Sequence, residues 1–338
     1  MDLDLTSPIT LTQSLNENLP PKRFFTENFF GEQVHGTTGV AVDIVKGSTK
    51  IAPYGARGEA ATIASRDGFV TKVFNTYSIS LKRPTTAIDL FKRAPGESVT
   101  YVGQGRNAAV AAAELMGRDQ AELANMVNRA IEKYAVDALI DGQLTILGES
   151  ISFGVQSSHK PTLTSTTKWN GGTSKKPLEN LEDYAALVAQ DSGLTATDVV
   201  LGADAKKALF SDDDFLKVLD TRMLSAGQAA LDLKVGRGAR FLGVVGGLRL
   251  WAYDEVYNNN GTITPIMPAK KIIVISDAIR ATVHYGLIDD VQGGKFAAKM
   301  FSKTWAQEDP SIQWVGVKSA PLPVVEQADG YVVATVVI

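Results

Sequence analysis

The front third of this chain cannot build a core of its own, and that limits its fold more than any other feature. Residues 1–40 are mostly polar around four aromatic anchors, Phe24, Phe25, Phe29 and Phe30. So sparse an apolar set cannot offset the entropy of ordering the segment. It must lie as an arm on another surface, from this chain or from a neighbouring copy. Residues 46–97 carry many turn formers and basic side chains, with period-two runs such as Thr71–Phe74 and Ser78–Leu81. Alternation of this kind predicts strands with one covered face. A two-stranded excursion is marginal alone, so this segment needs a partner surface too. Val40–Val45 predicts the strand that leads into it.

The rest of the 338 residues is patterned for a core, and the length suggests about two domains. Asp119 followed by Glu122 reads as a capping box, which predicts a helix over 120–140. Its apolar stripe is Leu123, Met126, Val127, Ala130, Ile131, Tyr134, Ala138 and Leu139, recurring mostly at three and four residues. Asn125, Arg129, Glu132, Lys133 and Asp137 form the opposite face, and Gly142 ends the helix. Leu144–Leu147 predicts a strand. A second helix is predicted from Leu181 to Asp191, with Asn180 as N-cap and Gly193 as its close. Val199–Leu201 predicts a buried strand and Ala203–Leu209 a short helix. Phe241–Val245 and Leu248–Tyr253 read as strands joined at Gly246-Gly247, and Asn260-Gly261 as another hairpin turn. Lys271–Ser276 is strand-like. So is most of 295–338, with breaks at Asp309-Pro310, Pro321 and Pro323, and an apolar C-terminal strand from Tyr331 to Ile338. The class is α+β.

Charge and composition exclude several functions. Hydrophobic residues are 44% and charged residues 21%, which argues against general disorder. Cysteine is absent, so there are no disulfides, thiolate metal sites or cysteine nucleophiles. No uncharged apolar run reaches the length of a membrane span. The start, Met1-Asp2-Leu3-Asp4, is not a secretory signal pattern. Net charge is −3, against the basic balance of proteins that grip nucleic acid. The charge is nevertheless uneven. From Ile44 to Arg93 nine bases face three acids, and from Leu178 to Asp220 ten acids face three bases. These are either two solvated faces or patches that meet between copies of the chain.

No catalytic set emerges. Gly103-Gln104-Gly105-Arg106-Asn107-Ala108 follows an apolar run and precedes a helical stretch, which raises a dinucleotide-dependent oxidoreductase as an alternative. The second strand with its acid about 20 residues on is missing, because a helix fills that window. A glycine turn is the simpler reading. Asp212-Asp213-Asp214 resembles a hard-cation cluster but sits at an acidic helix start. His35, His159 and His284 lack ligand spacing and read as ordinary surface or core histidines. Ser157-Ser158-His159-Lys160 has a Ser-x-x-Lys spacing without its supporting motifs. The expected catalytic, cofactor and metal residues are therefore none.

The order of these parts resembles a tailed-phage major capsid protein, of the phage lambda major head protein type. The residues carrying the resemblance are Ala281–Asp290, Phe301–Trp305 with Asp309-Pro310, and Lys318–Pro323 before the last strand. Phe29-Phe30, Lys46-Gly47, Ile51–Tyr54, Arg57-Gly58 and Arg93–Glu97 add to it. The resemblance implies a Hong Kong 97-like capsid fold: an N-terminal arm at 1–42 and an extended E-loop at 43–97. A P-domain with a spine helix follows at 98–150, then an A-domain at 151–290 and P-domain return strands at 291–338. It implies a shell of hexamers and pentamers around double-stranded DNA, with a portal and possible decoration protein, and no membrane contact. An arm starting almost at Met1 favours a separate scaffold protein. An encapsulin-like nanocompartment shell, which packages protein, is a further alternative.

Overall fold

The computed structural model describes residues 24–45, 69–86, 88–89, 108–171, 174–218, 238–259, 261–290 and 294–338. The arm supplies a short helix α1 (Phe24–Asn28) and a strand β1 (Gly31–Val34). The excursion supplies β2 (Gly39–Val45), β3 (Phe69–Asn75) and β4 (Ile79–Thr86). The long helix α2 runs from Ala108 to Asp141, so it starts well before the predicted residue 120. The run before Asp119 is rich in alanine, the strongest helix former, and the chain simply continues through the supposed cap. Asp119 is buried and takes Arg83 at 2.7 Å; a tertiary ion pair has recruited the carboxylate that resembled a cap.

A hairpin follows, β5 (Gln143–Ile146) and β6 (Glu149–Ser152), then helix α3 (Pro177–Ser192). Its first residue is Pro177, for which the missing N–H costs nothing at that position. Asn180 is inside the helix rather than its cap, and its Oδ1 accepts from Trp169 Nε1 at 3.2 Å. Next come β7 (Asp198–Leu201), α4 (Ala203–Phe210) and α5 (Asp213–Val218). β8 (Ala239–Val245) and β9 (Leu248–Tyr253) turn at Gly246 and Gly247. Their φ angles of 56° and 85° are ones that only glycine adopts freely. β10 (Val256–Asn259) and β11 (Thr262–Pro265) form the next hairpin. β12 (Lys271–Ile275), β13 (Ala281–Tyr285), β14 (Ile288–Asp290) and β15 (Gly294–Phe296) lead on. The last four strands are β16 (Phe301–Gln307), β17 (Ile312–Ser319), β18 (Pro321–Val325) and β19 (Tyr331–Thr335).

One mixed sheet, in the order β19-β12-β7-β9-β8, divides two cores. Alternation along its strands decides which core each side chain joins. Val199, Leu201, Ile272 and Val274 face a core closed by α3 and α4. Val200, Ile273, Ile275 and Val333 face the opposite way, into the core that contains α2. The three-stranded sheets β1-β13-β18 and β16-β17-β4 contribute to that second core. Pro321 and Pro323 lie within β18 instead of breaking it. β18 is an edge strand pairing only with β13 among the described residues, and an edge tolerates residues that cannot donate. Within 291–338, β16, β17 and β18 serve the small sheets, while β19 pairs with β12 in the five-stranded sheet.

Candidate functional site

The feature with functional character is the root of the excursion. β2 and β3 pair with each other, and among the described residues no third strand joins them. Val40 and Val42 are buried on the inner face, with Phe74 packed behind them. The outer face presents Ala41, Asp43, Thr71 and Val73, and Val73 is 70% exposed. Lys72 reaches across to the Ser152 carbonyl at 3.2 Å. The returning strand β4 is better covered. It pairs along its whole length with β17, and its outward Lys82 lies 4.5 Å over the Trp314 ring, which stacks on Trp305. The ribbon therefore leaves the subunit from a firm base and offers a half-apolar face and open strand edges.

The arm is held quite differently. Phe24, Phe25, Phe29 and Phe30 are all buried, and Phe24 and Phe25 pack edge-on or tilted against Trp251 and Tyr253. Beneath them lies Glu132, which the sequence pattern placed on the solvent face of α2 and which is fully buried. Its carboxylate accepts from the Phe25 N–H at 2.8 Å, the Thr26 N–H at 3.1 Å, the Thr26 hydroxyl at 2.9 Å and the Tyr253 hydroxyl at 3.1 Å. Burial pushes this carboxyl up to about 6, and the four donors keep it from rising further. Met126, predicted in the apolar stripe, is 46% exposed. Glu132 and Met126 thus exchange the sides that helical periodicity gives them, because α1 docks across the face that periodicity reads as polar.

The histidines are not three separate bystanders. His35 Nε2 and His284 Nδ1 lie 2.9 Å apart, across the parallel pair β1–β13. Burial and the neighbouring His284 lower the pKa of His35. Glu326 sits 3.6 Å from His284 Nε2, beyond hydrogen-bond reach, and His284 together with Thr282 holds its carboxyl below the usual range. His159 is buried between the Tyr331 carbonyl and Asp191. Each histidine ties two distant segments together.

The remaining motifs have structural roles. Asp212 Oδ1 accepts the Phe215 N–H at 3.0 Å and so caps the acidic start of α5. Ser157 and Lys160 close a 3₁₀ turn, and Lys160 Nζ bonds the Asp141 carbonyl. Gly103–Asn107 lie outside the described residues, and Ala108 begins α2. Among the described residues no group of three or more histidines and carboxylates could hold a metal ion. No helix there is long and apolar enough to cross a membrane. The charge patches are thinner than the sequence counts, because Arg83 is spent on Asp119 and Glu122, and buried Asp198 on Arg249. The ribbon's exposed outer face and its unpaired edges among the described residues suit it to binding another surface.

Comparison with known proteins agrees with that reading. A family profile described as phage major capsid protein E matches residues 7–336. No curated protein matches the sequence. A protein described as a prophage capsid protein of E. coli CFT073 superposes with a TM-score of 0.76 at 20% identity, covering 97% of this chain and 98% of the other. The capsid of Ralstonia phage GP4 gives 0.56 at 11% identity, covering 95% and 93%. The mature capsid of bacteriophage PhiM1 gives 0.51 at 11%, covering 94% and 87%.

Proposed function

The chain belongs to the phage major capsid protein E family and is a major capsid protein with the α+β Hong Kong 97-like fold, and from that premise we propose that its copies close into an icosahedral shell of hexamers and pentamers around double-stranded DNA. It is a structural protein of the virion, not a member of an enzyme family. In this reading residues 1–42 are the arm, 43–97 the E-loop, 98–150 the P-domain with α2 as its spine, and 151–290 the A-domain. The return strands at 291–338 give their last member, β19, to the A-domain sheet.

The observation that carries the proposal is the ribbon β2–β3. Its outer face is exposed and its edges lack a third strand among the described residues, yet open edges of this kind are a hazard in a monomer. A neighbouring copy supplies the cover, and a head-to-tail contact of this type closes when the rotation closes. The basic segment 44–93 and the acidic segment 178–220 then help to set register between copies. A separate scaffold protein, a portal and a decoration protein are further partners, assembly occurs in the host cytoplasm, and contact with DNA is non-specific, in line with the net charge of −3.

The test is electron microscopy of the purified full chain, alone and with its phage's scaffold protein. Closed hollow particles with five- and six-fold capsomers support the reading. A monomer that stays monomeric under both conditions contradicts it.

A further inference from the structure

The ribbon β2–β3 is tied by side chains to the hairpin β5–β6 at two separate points. Lys72 lies midway along β3, opposite Val42 in the register, and so on the inner face. Its Nζ donates to the Ser152 carbonyl at 3.2 Å. Tyr77 lies in the elbow between β3 and β4, and its hydroxyl donates to Glu149 Oε2 at 2.5 Å. Glu149 and Ser152 are the two ends of β6. One tie would fix only a point on the ribbon. Two ties, one at each end of a strand, fix its direction as well.

The hairpin is a firm footing for those ties. It follows α2 directly, leaving the helix at Gly142 with a left-handed φ of 56°. Leu144 and Ile151 are buried in the core that contains α2. The Phe153 N–H donates to the Gly142 carbonyl at 3.1 Å, and Lys160 Nζ to the Asp141 carbonyl at 2.5 Å. The two ties themselves are exposed, and an exposed hydrogen bond shifts an equilibrium by only about fivefold. The ribbon is therefore aimed from a rigid base through links that can yield. A shell of pentamers and hexamers needs such a link, because one chain must meet its neighbours at more than one inclination. We propose that Tyr77 and Lys72 are positioning residues: with Glu149 and the Ser152 carbonyl they set the ribbon's direction relative to α2, and so the curvature at which copies join. The inference rests on the shell reading. The ribbon's open face decides whether copies associate, and the brace decides at what angle.

The test removes both ties and reads direction and curvature separately. Tyr77→Phe loses only a hydroxyl, and Lys72→Met only an ammonium. The chain contains no cysteine, so Val73→Cys and Leu147→Cys, at positions 70% and 86% exposed, place one spin label on the ribbon and one at the hairpin tip. In the unassembled subunit the distance between the labels should be narrowly distributed, and clearly broader once Tyr77→Phe and Lys72→Met are added. Without labels, the Tyr77→Phe/Lys72→Met subunit should melt within about 2 °C of the wild type, since both bonds are exposed. It should still associate, at a critical concentration within about fivefold of the wild type's. Closed particles of wild-type diameter should fall by about fivefold or more, giving way to open sheets and other sizes in electron micrographs. Glu149→Gln, which keeps an acceptor oxygen for Tyr77, should give wild-type particles, and Glu149→Ala should not. An unchanged distance distribution overturns the proposal, as do normal shells from the double variant or from Glu149→Ala. A larger fall in melting temperature overturns it too, because the ties would then hold the fold rather than the ribbon's direction. A wild-type chain that never associates overturns the shell reading, and the spin-label comparison still decides the brace.

Discussion

The arm helix α1 and the ribbon β2–β3 both come from sequence that cannot form a core, yet they end in opposite situations. The arm has four buried phenylalanines and a buried carboxylate bonded to two of its backbone N–H groups. Its own subunit satisfies it. The ribbon buries Val40 and Val42 on one face and leaves Val73 exposed on the other. Its own subunit satisfies half of it. The difference shows that lack of a core does not by itself mark an interface; what marks one is how much of the segment's apolar and hydrogen-bonding capacity its own chain leaves open.

The sharpest way to break the comparison is to cut the arm's anchor. Glu132→Ala leaves four donors facing a cavity, and orphaned buried donors cost enough that the subunit should lose about 3–5 kcal/mol. Denaturant titration checks this, and a loss below about 1 kcal/mol would place the arm on the same footing as the ribbon. A second prediction concerns pH. The Glu132 carboxyl rises from 4.5 to about 6 in the folded chain, so the folded state binds its proton more tightly. Its contribution is complete below about 4.5 and is lost as pH rises through about 6, by about 2 kcal/mol. The stability difference between the wild type and Glu132→Gln should therefore change across that window and be flat above about 7. His35 works in the opposite sense: its pKa is lowered, so its contribution is present above 6.5 and falls away on acidification. Subtracting the variant removes that shared background.

At the ribbon's base, Gly286 lies where an added Cβ would stand 1.9 Å from the Thr76 hydroxyl, which bonds the Thr38 carbonyl. Gly286→Ala should cost about 1–3 kcal/mol by overpacking, and Thr76→Gly in the same chain should recover most of it. On the ribbon's outer face the effect should be smallest. Val73→Ser should change subunit stability by less than about 0.5 kcal/mol while weakening assembly, measured by light scattering. A large loss of stability from Val73→Ser would show that the face is already covered within the subunit.

Much of the fold could be read from the sequence because its strands alternate and its turns carry the required residues. The hairpin at Gly246-Gly247, the α3 close at Gly193 and the strand Asp198–Leu201 follow local rules. What local rules missed was settled by long-range partners. Asp119 looked like a cap until Arg83, 36 residues away, claimed it. Glu132 looked solvated until α1, over 100 residues away, covered it. His35 and His284 are separated by 249 residues and meet only because β1 inserts beside β13. The alternation of the ribbon was visible, but not the division between its covered and open faces, which depends on what lies beneath it. Periodicity reports that a face is apolar or polar; it does not report which copy of the chain will cover it.

Hydrogen exchange measured on the unassembled subunit and again on closed shells tests this division most directly. Amides of Phe25 to Phe30 should be protected in both states, because the subunit alone holds the arm. Within Ala41 to Ile44 and Thr71 to Asn75, the outward-pointing amides not bonded within the β2–β3 pair should exchange readily in the free subunit and slow by at least about tenfold in the shell, as a neighbour covers the ribbon. Arm amides that gain protection only on assembly, or outward-pointing ribbon amides equally protected in both states, would contradict the account.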